Sequence, residues 1–154
     1  MTTPTRHALP VPGVPPFEPP RWLGHPDVQT LAVELWPRPD RRKSVWWRQR
    51  ERLEIPLPDG DHLLGWLHRH PSKGPADTAL VIHAHGLGSD ADAPLMRGVS
   101  YKALAAGLHS LRLNWRGAGG SEDLGTRFTT GLGHLDVAAV VAACQALGFT
   151  RIYW

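Results

Sequence analysis

Apolar residues change their spacing along the chain, and each change marks a different element. At Val28, Leu31, Ala32 and Leu35 they fall at i, i+3, i+4 and i+7 behind Pro26, which suits a first helical position. This spacing predicts a short helix that ends near Trp36-Pro37. From Leu53 the period becomes two: Leu53, Ile55 and Leu57 alternate, Pro58-Asp59-Gly60-Asp61 interrupts, and Leu63 to Leu67 resumes, which predicts a β-hairpin around an Asp-Gly turn. The run Ala79 to Ala84 is short, apolar and β-branched, as a strand covered on both faces should be. A helix is predicted around Leu95 to Ala106, closed by Gly107, and then a second buried run, Ser110 to Asn114. A polar glycine-rich loop precedes a helix over Leu135 to Leu147 with its stop at Gly148, and Arg151 to Trp154 opens a further apolar strand. Strand, helix, strand implies a right-handed parallel crossover. The expected fold class is therefore α/β, with a mostly parallel sheet and an antiparallel hairpin at its start.

Composition narrows the functional classes. With 154 residues, 42% hydrophobic and 20% charged, the chain is of ordinary globular make-up and long enough for one sizeable core. A net charge of +3 does not call for a polyanionic partner, and nucleic acid is not expected. The single cysteine, Cys144, cannot close an intrachain disulfide, which fits a reducing compartment and a cytoplasmic location. Neither a signal peptide nor a membrane span is expected, since the longest apolar stretch, Leu135 to Ala143, is broken by Asp136. Prolines at 4, 10, 12, 15, 16, 19 and 20 make the start an extended arm. Arg38 to Arg52, rich in basic residues around Trp46 and Trp47, reads as a linker or as a basic binding surface. The organisation expected is an arm, helix and linker over 1–44 and an α/β core over 45–154.

In open parallel sheets function gathers outside the carboxyl ends of strands, which directs attention to the loops after Ala84 and Asn114. In the first, His85-Gly86 lets the backbone turn sharply, so that the Leu87 N–H can point into a pocket and donate to a developing oxyanion. The same residues also suit a plain strand-to-helix turn. In the second, Arg116 with Gly117, Gly119 and Gly120 can pin the loop or bind an anion. Gly86-Leu87-Gly88 further fits, superficially, a dinucleotide-binding module with Asn114 and Arg116 near a ribose or phosphate, although Asp92-Ala93-Pro94 delays the helix that such a module opens on its glycines.

Other candidates have duller readings. Ser89 and Ser121 lack the frame of a nucleophile, and His83 and His85 have no further ligands at metal-binding spacing, so no metal or cofactor is expected. His62, His68, His70 and His109 read as partly exposed polar positions, Asp136 as a partner of its helix dipole, and Cys144 as a small core residue.

In combination these segments resemble the α/β-hydrolases, and more narrowly their YheT-like branch. Phe17-Glu18-Pro19-Pro20-Arg21-Trp22-Leu23 with Asp27-Val28-Gln29-Thr30-Leu31 resembles the amino-terminal signature of the branch, and Glu51-Arg52-Leu53-Glu54 leading to Pro58-Asp59-Gly60-Asp61 its first hairpin. His85-Gly86-Leu87-Gly88-Ser89 resembles its oxyanion loop. Arg116-Gly117-Ala118-Gly119-Gly120 resembles its arginine loop, with Ala118 where the branch usually has cysteine, and Arg127-Phe128-Thr129-Thr130-Gly131 to Asp136 the segment opening its next helix. The resemblance implies hydrolysis of a small-molecule acyl ester by a serine, histidine and acid triad, with oxyanion donors at Leu87 and at the residue after the nucleophile. It also places the Gly-x-Ser-x-Gly elbow after the strand that starts at Arg151, followed by the acid and the base. The expectation is thus a truncated hydrolase fold that carries the oxyanion loop but no triad residue, and is inactive alone.

Overall fold

The computed structural model describes residues 20–35, 49–128 and 133–154. The proline-rich arm and most of the basic linker lie outside them, as do Thr129 to Leu132. The chain divides into two compact units, Met1–Arg38 and Pro39–Trp154. In the first, a 3-10 turn at Arg21–Leu23 precedes helix α1, Pro26–Leu35, and Gln29 Nε2 donates to the Leu23 carbonyl across 2.6 Å to join them. The helix has the bounds that its spacing predicts, with Val28 and Leu31 exposed.

In the second unit the described strands are β1 Glu51–Pro56, β2 His62–His68, β3 Leu80–Ala84, β4 His109–Leu113 and β5 Ile152–Tyr153, with helices α2 Pro94–Ala105 and α3 Gly133–Ala146 between them. They form a sheet in the order β1-β2-β4-β3-β5. β2 runs antiparallel to both β1 and β4, while β3 is parallel to β4 and β5, so β2 alone opposes the common direction. The Asp-Gly turn closes the hairpin as expected: Leu57 N–H donates to Asp61 O and Gly60 N–H to Leu57 O. Helix α2 stops at Gly107, whose φ of +79° lets Leu108 and Gly107 return their N–H groups to Ala103 and Leu104. The same pair of bonds, from Phe149 to Cys144 and from Gly148 to Gln145, ends α3.

The two faces of this sheet differ in chemistry. Leu63 and Leu67 of β2, Leu80 and Ile82 of β3, and Leu111 and Leu113 of β4 point to one face, where Ile55, Val140 and Cys144 of α3, and Phe149 complete the core. Gly65 leaves room there for Leu111, whose Cδ1 would lie 2.8 Å from an added Cβ. The other face, under α2, carries His68, His83, Ser110 and Arg112. Ser110 Oγ donates to Ser100 Oγ of α2 and meets His83 Nε2 at 3.1 Å. Arg112, fully buried, donates to His68 Nε2, to the Ala91 carbonyl and, across 2.6 Å, to Asp92. Every buried side-chain polar atom among the described residues has a partner, as burial of charge requires.

Two histidines expected to be partly exposed are buried instead. His68 is the acceptor for Arg112, and His109, on the apolar face at the start of β4, is edge-on to Phe149. The His109 ring takes the His70 N–H on Nδ1 and lies 3.0 Å from the Gly74 carbonyl through Nε2, a pattern that needs the neutral Nε2–H form. Burial holds its pKa below the ordinary 6.5, and burial followed by the charge of Arg112 does the same to His83. Both rings bind protons more readily in the unfolded chain, so the stability they confer is present above pH 6.5 and is lost as pH falls through their folded values. The urea midpoint is expected to decline from pH 7 towards pH 5, before the carboxylates titrate; a flat profile over that range would refute this account.

Candidate functional site

β4, β3 and β5 are parallel, so the chain leaves all three at one edge of the sheet, and the antiparallel β2 brings the hairpin turn to the same edge. The sequence candidates meet here. His85 follows β3 directly and is buried; the Trp115 N–H donates to its Nε2 across 3.2 Å, and its Nδ1 lies 2.9 Å from the Gly86 carbonyl. The Trp115 indole N–H donates to the His85 carbonyl, and its ring lies 6.0 Å from that of Trp154 at the end of β5. His85 thus anchors the start of its loop to the start of the next.

Leu87 stands at the loop tip with its side chain fully exposed (108%), so nothing about its position depends on burying that side chain. No described residue accepts a hydrogen bond from its N–H. Ser89 N–H donates to Gly86 O at 3.3 Å, and α2 begins at Pro94. The glycines therefore do not sit on a helix end, and the polar atoms that a dinucleotide reading would use are taken. Asn114 bonds the Ala91 N–H and the Gly119 carbonyl. Arg116 is held by aspartates.

Around Arg116 three carboxylates converge. It donates to both oxygens of Asp136 at 2.8 and 2.7 Å, and its Nη1 reaches Asp59 and Asp61 at 2.7 Å each. The hydrogen bonds it donates to Asp136 hold the guanidinium well above its ordinary pKa, with that to Asp59 adding to them. Asp59 is lowered by the Arg116 hydrogen bond first, and Asp61 by the Thr126 N–H and then by Arg116. Asp136, early in α3, is more than a partner of the helix dipole: it is buried and salt-bridged, joining the helix to the arginine loop. Beside this cluster lies a cavity of about 200 Å³, lined by Pro58, Asp59, Arg116, Arg127, Phe128, Gly133, Leu135 and Asp136.

Gly117 lies against Phe128, and Gly119 against Asn114. Ser121 is buried, bonded to Ala118 and Trp115, and Cys144 is buried with its thiol pushed up to about 11. Among the described residues no group of three His, Cys, Asp or Glu side chains is arranged to hold a metal, and no helix is long and apolar enough to cross a membrane. Sequence reasoning missed Arg112, Asp59 and Asp61 as site-building residues, and placed Asn114 near a ribose or phosphate, where the structure has it joining two loops. Asp59 and Asp61 were visible as turn formers, but nothing local ties them to an arginine more than fifty positions away.

Replacing Arg116 by Met leaves the buried Asp136 carboxylate without its fork and is expected to cost on the order of 3 kcal/mol in urea unfolding. Lysine should recover only part of that, because one ammonium cannot grip both oxygens of Asp136 and still reach the hairpin turn. Full recovery by lysine would show that charge alone matters there.

No protein-family model and no curated protein matches the chain, but solved structures do. An esterase from Pyrococcus furiosus is similar at 26% identity with a TM-score of 0.56, over 68% of this chain and 38% of that one. An α/β serine hydrolase homologue from Coxiella burnetii follows at 24% and 0.53, over 66% of this chain and 49% of that one. A lidless α/β serine hydrolase from Xanthomonas campestris is similar at 19% and 0.53, over 64% and 45%. The chain spans less than half the length of each. With its hairpin, parallel crossover and strand order, the chain carries part of the α/β-hydrolase fold.

Proposed function

We propose that this chain contributes the oxyanion loop of a serine hydrolase of the YheT-like branch, acting on a carboxylic ester or related acyl bond, with the nucleophile, acid and base supplied by residues other than these 154. The observation that carries the reading is the Leu87 N–H. It has no acceptor among the described residues, and it stands on a loop anchored by His85 at the carboxyl end of β3. In acyl transfer a serine oxygen adds to the carbonyl carbon, and the carbonyl oxygen takes up the negative charge; a fixed N–H aimed at that oxygen lowers the barrier because it needs no reorganisation. β5 lies parallel to β3, so a chain continuing from Tyr153 leaves at the edge where this amide stands. That is the side on which a strand-to-helix elbow would present its serine. The residues that resemble the branch, His85 to Ser89 and Arg116 to Gly120, lie in the two loops that meet there.

The 154-residue chain is expected to hydrolyse no short-chain p-nitrophenyl ester above a heat-killed control and to take no fluorophosphonate label. A polypeptide extended beyond Trp154 should do both, with Gly-x-Ser-x-Gly within about ten residues. In that polypeptide Leu87→Pro, which deletes the N–H and no buried side chain, should lower kcat about 10²–10³-fold. Labelling of a unique serine in the unextended chain would overturn the proposal, as would full activity of Leu87→Pro.

A further inference from the structure

We propose that Asn114 is a positioning residue for the oxyanion loop, holding the end of the loop opposite to the one His85 holds. The inference rests on the reading of Leu87 as the oxyanion donor. Asn114 is 1% exposed, so it cannot touch a substrate. Its Oδ1 accepts the Ala91 N–H at 2.6 Å and its Nδ2 donates to the Gly119 carbonyl at 2.8 Å. The carbonyl of the same residue, Ala91, accepts from Arg112, which Asp92 neutralises. Burial alone would raise Asp92, but the Arg112 hydrogen bond and charge bring it below the ordinary carboxylate range, so that anion persists. The loop therefore runs between two fixed posts, His85 on Trp115 and Ala91 on Asn114 and Arg112, all reaching out from the end of β4. Between the posts Gly86, Leu87 and Gly88 are exposed.

Shape adds a constraint that packing alone would not need. Gly119 lies so close that an added Cβ would sit 2.5 Å from both the Oδ1 and the Nδ2 of Asn114, and its φ is +61°. A leucine at 114, branched at the same carbon with the same number of side-chain heavy atoms, would leave the Ala91 N–H and the Gly119 carbonyl unpaired. The carboxamide has one donor end and one acceptor end, and each faces the backbone group it suits.

An introduced carboxyl at this site tests that logic. When neutral it can accept from Ala91 and donate its O–H to Gly119; when ionised it loses the donor and sets an anion against the Gly119 carbonyl. The charged and titratable groups on the elements bonded around it are His85, Asp90 and Asp92 of the oxyanion loop, Arg112 and Arg116 on and just after β4, and His62 and His68 of β2, so native protein and Asn114→Ala serve as controls for every other pH effect.

Amide protection in the 154-residue chain, by NMR, is the readout. In Asn114→Ala, protection at Ser89, whose own bond to Gly86 does not involve Asn114, should fall about tenfold. Protection at Ile82 and Leu111 in the sheet should hold. Asn114→Asp should keep the loop protected at low pH and lose that protection as pH rises, beyond any change in the controls. Gly119→Ala, which displaces the carboxamide from the other side, should loosen Ser89 as well. Unchanged Ser89 protection in Asn114→Ala with an intact sheet would overturn the proposal, as would a pH-independent Asn114→Asp. In the ester-hydrolysing extended polypeptide, Asn114→Ala should lower kcat with KM unchanged, and unaltered kcat would overturn it too. Failure of the underlying reading has a separate mark: full activity of Leu87→Pro while Ser89 still loosens in Asn114→Ala.

Discussion

β4 is buried at every position, yet its two faces meet opposite environments, and the rest of the fold follows from that constraint. Its leucines enter a core shared with β2, β3 and α3, where burial of apolar surface provides the driving force. Its serine and arginine face α2, where desolvation would be ruinous unless each polar atom had a partner. The partners come from separate places: Ser100 on α2, His68 on β2, and the Ala91 carbonyl and Asp92 on the loop after β3. Satisfying one buried guanidinium thus draws together the elements that border the site.

Where β4 ends, the same logic passes to side chains that hold loops. Asn114 fixes Ala91 and Gly119, Trp115 fixes His85, and Arg116 fixes the hairpin turn and the start of α3. Three consecutive residues therefore tie the loop after β3, the arginine loop, the hairpin turn and α3 to the end of one strand. An exposed amide such as that of Leu87 is useful to chemistry only if its position is already settled before a substrate arrives. Here the tip is free of packing while both ends of its loop are bonded to one rigid strand.

Local patterns made the fold legible. The period of two over Leu53 to Leu67, the β-branched run at Ala79 to Ala84 and the glycine stops at 107 and 148 are effects of neighbouring residues, and strands and helices appear within a residue or two of the expected places. The buried run after Ser110 was legible as covered on both faces, but its alternation of leucine with Ser110 and Arg112 also encoded a polar layer. His68 and His109 were misjudged for a related reason. A histidine is buried when both ring nitrogens find partners, and those of His109 are a backbone amide and a carbonyl more than thirty positions away. The candidate site could be picked out at His85, Leu87 and Arg116 as residue types after strands, but not in its connections, because the partners of Arg116 come from a turn and a helix that only the folded sheet brings near.

The two arginines of this region show why residue type alone did not reveal role. Both sit on or just after β4, Arg112 fully buried and Arg116 partly, yet burial pulls Arg112 below its ordinary pKa while the carboxylates lift Arg116 above it. Arg112 donates to a ring nitrogen and a carbonyl as well as to Asp92, so part of its desolvation is met by neutral acceptors. Arg116 has three carboxylates, one of which, Asp59, also pairs with Arg127, so three negative charges meet two positive ones there. An ester substrate that gains charge in the transition state is disfavoured near such a cluster and favoured near an unpaired amide. Electrostatics therefore separates the two loops at this end of the sheet: the arginine loop is a strut, and the loop that carries Leu87 is where, under the proposed function, negative charge would be received.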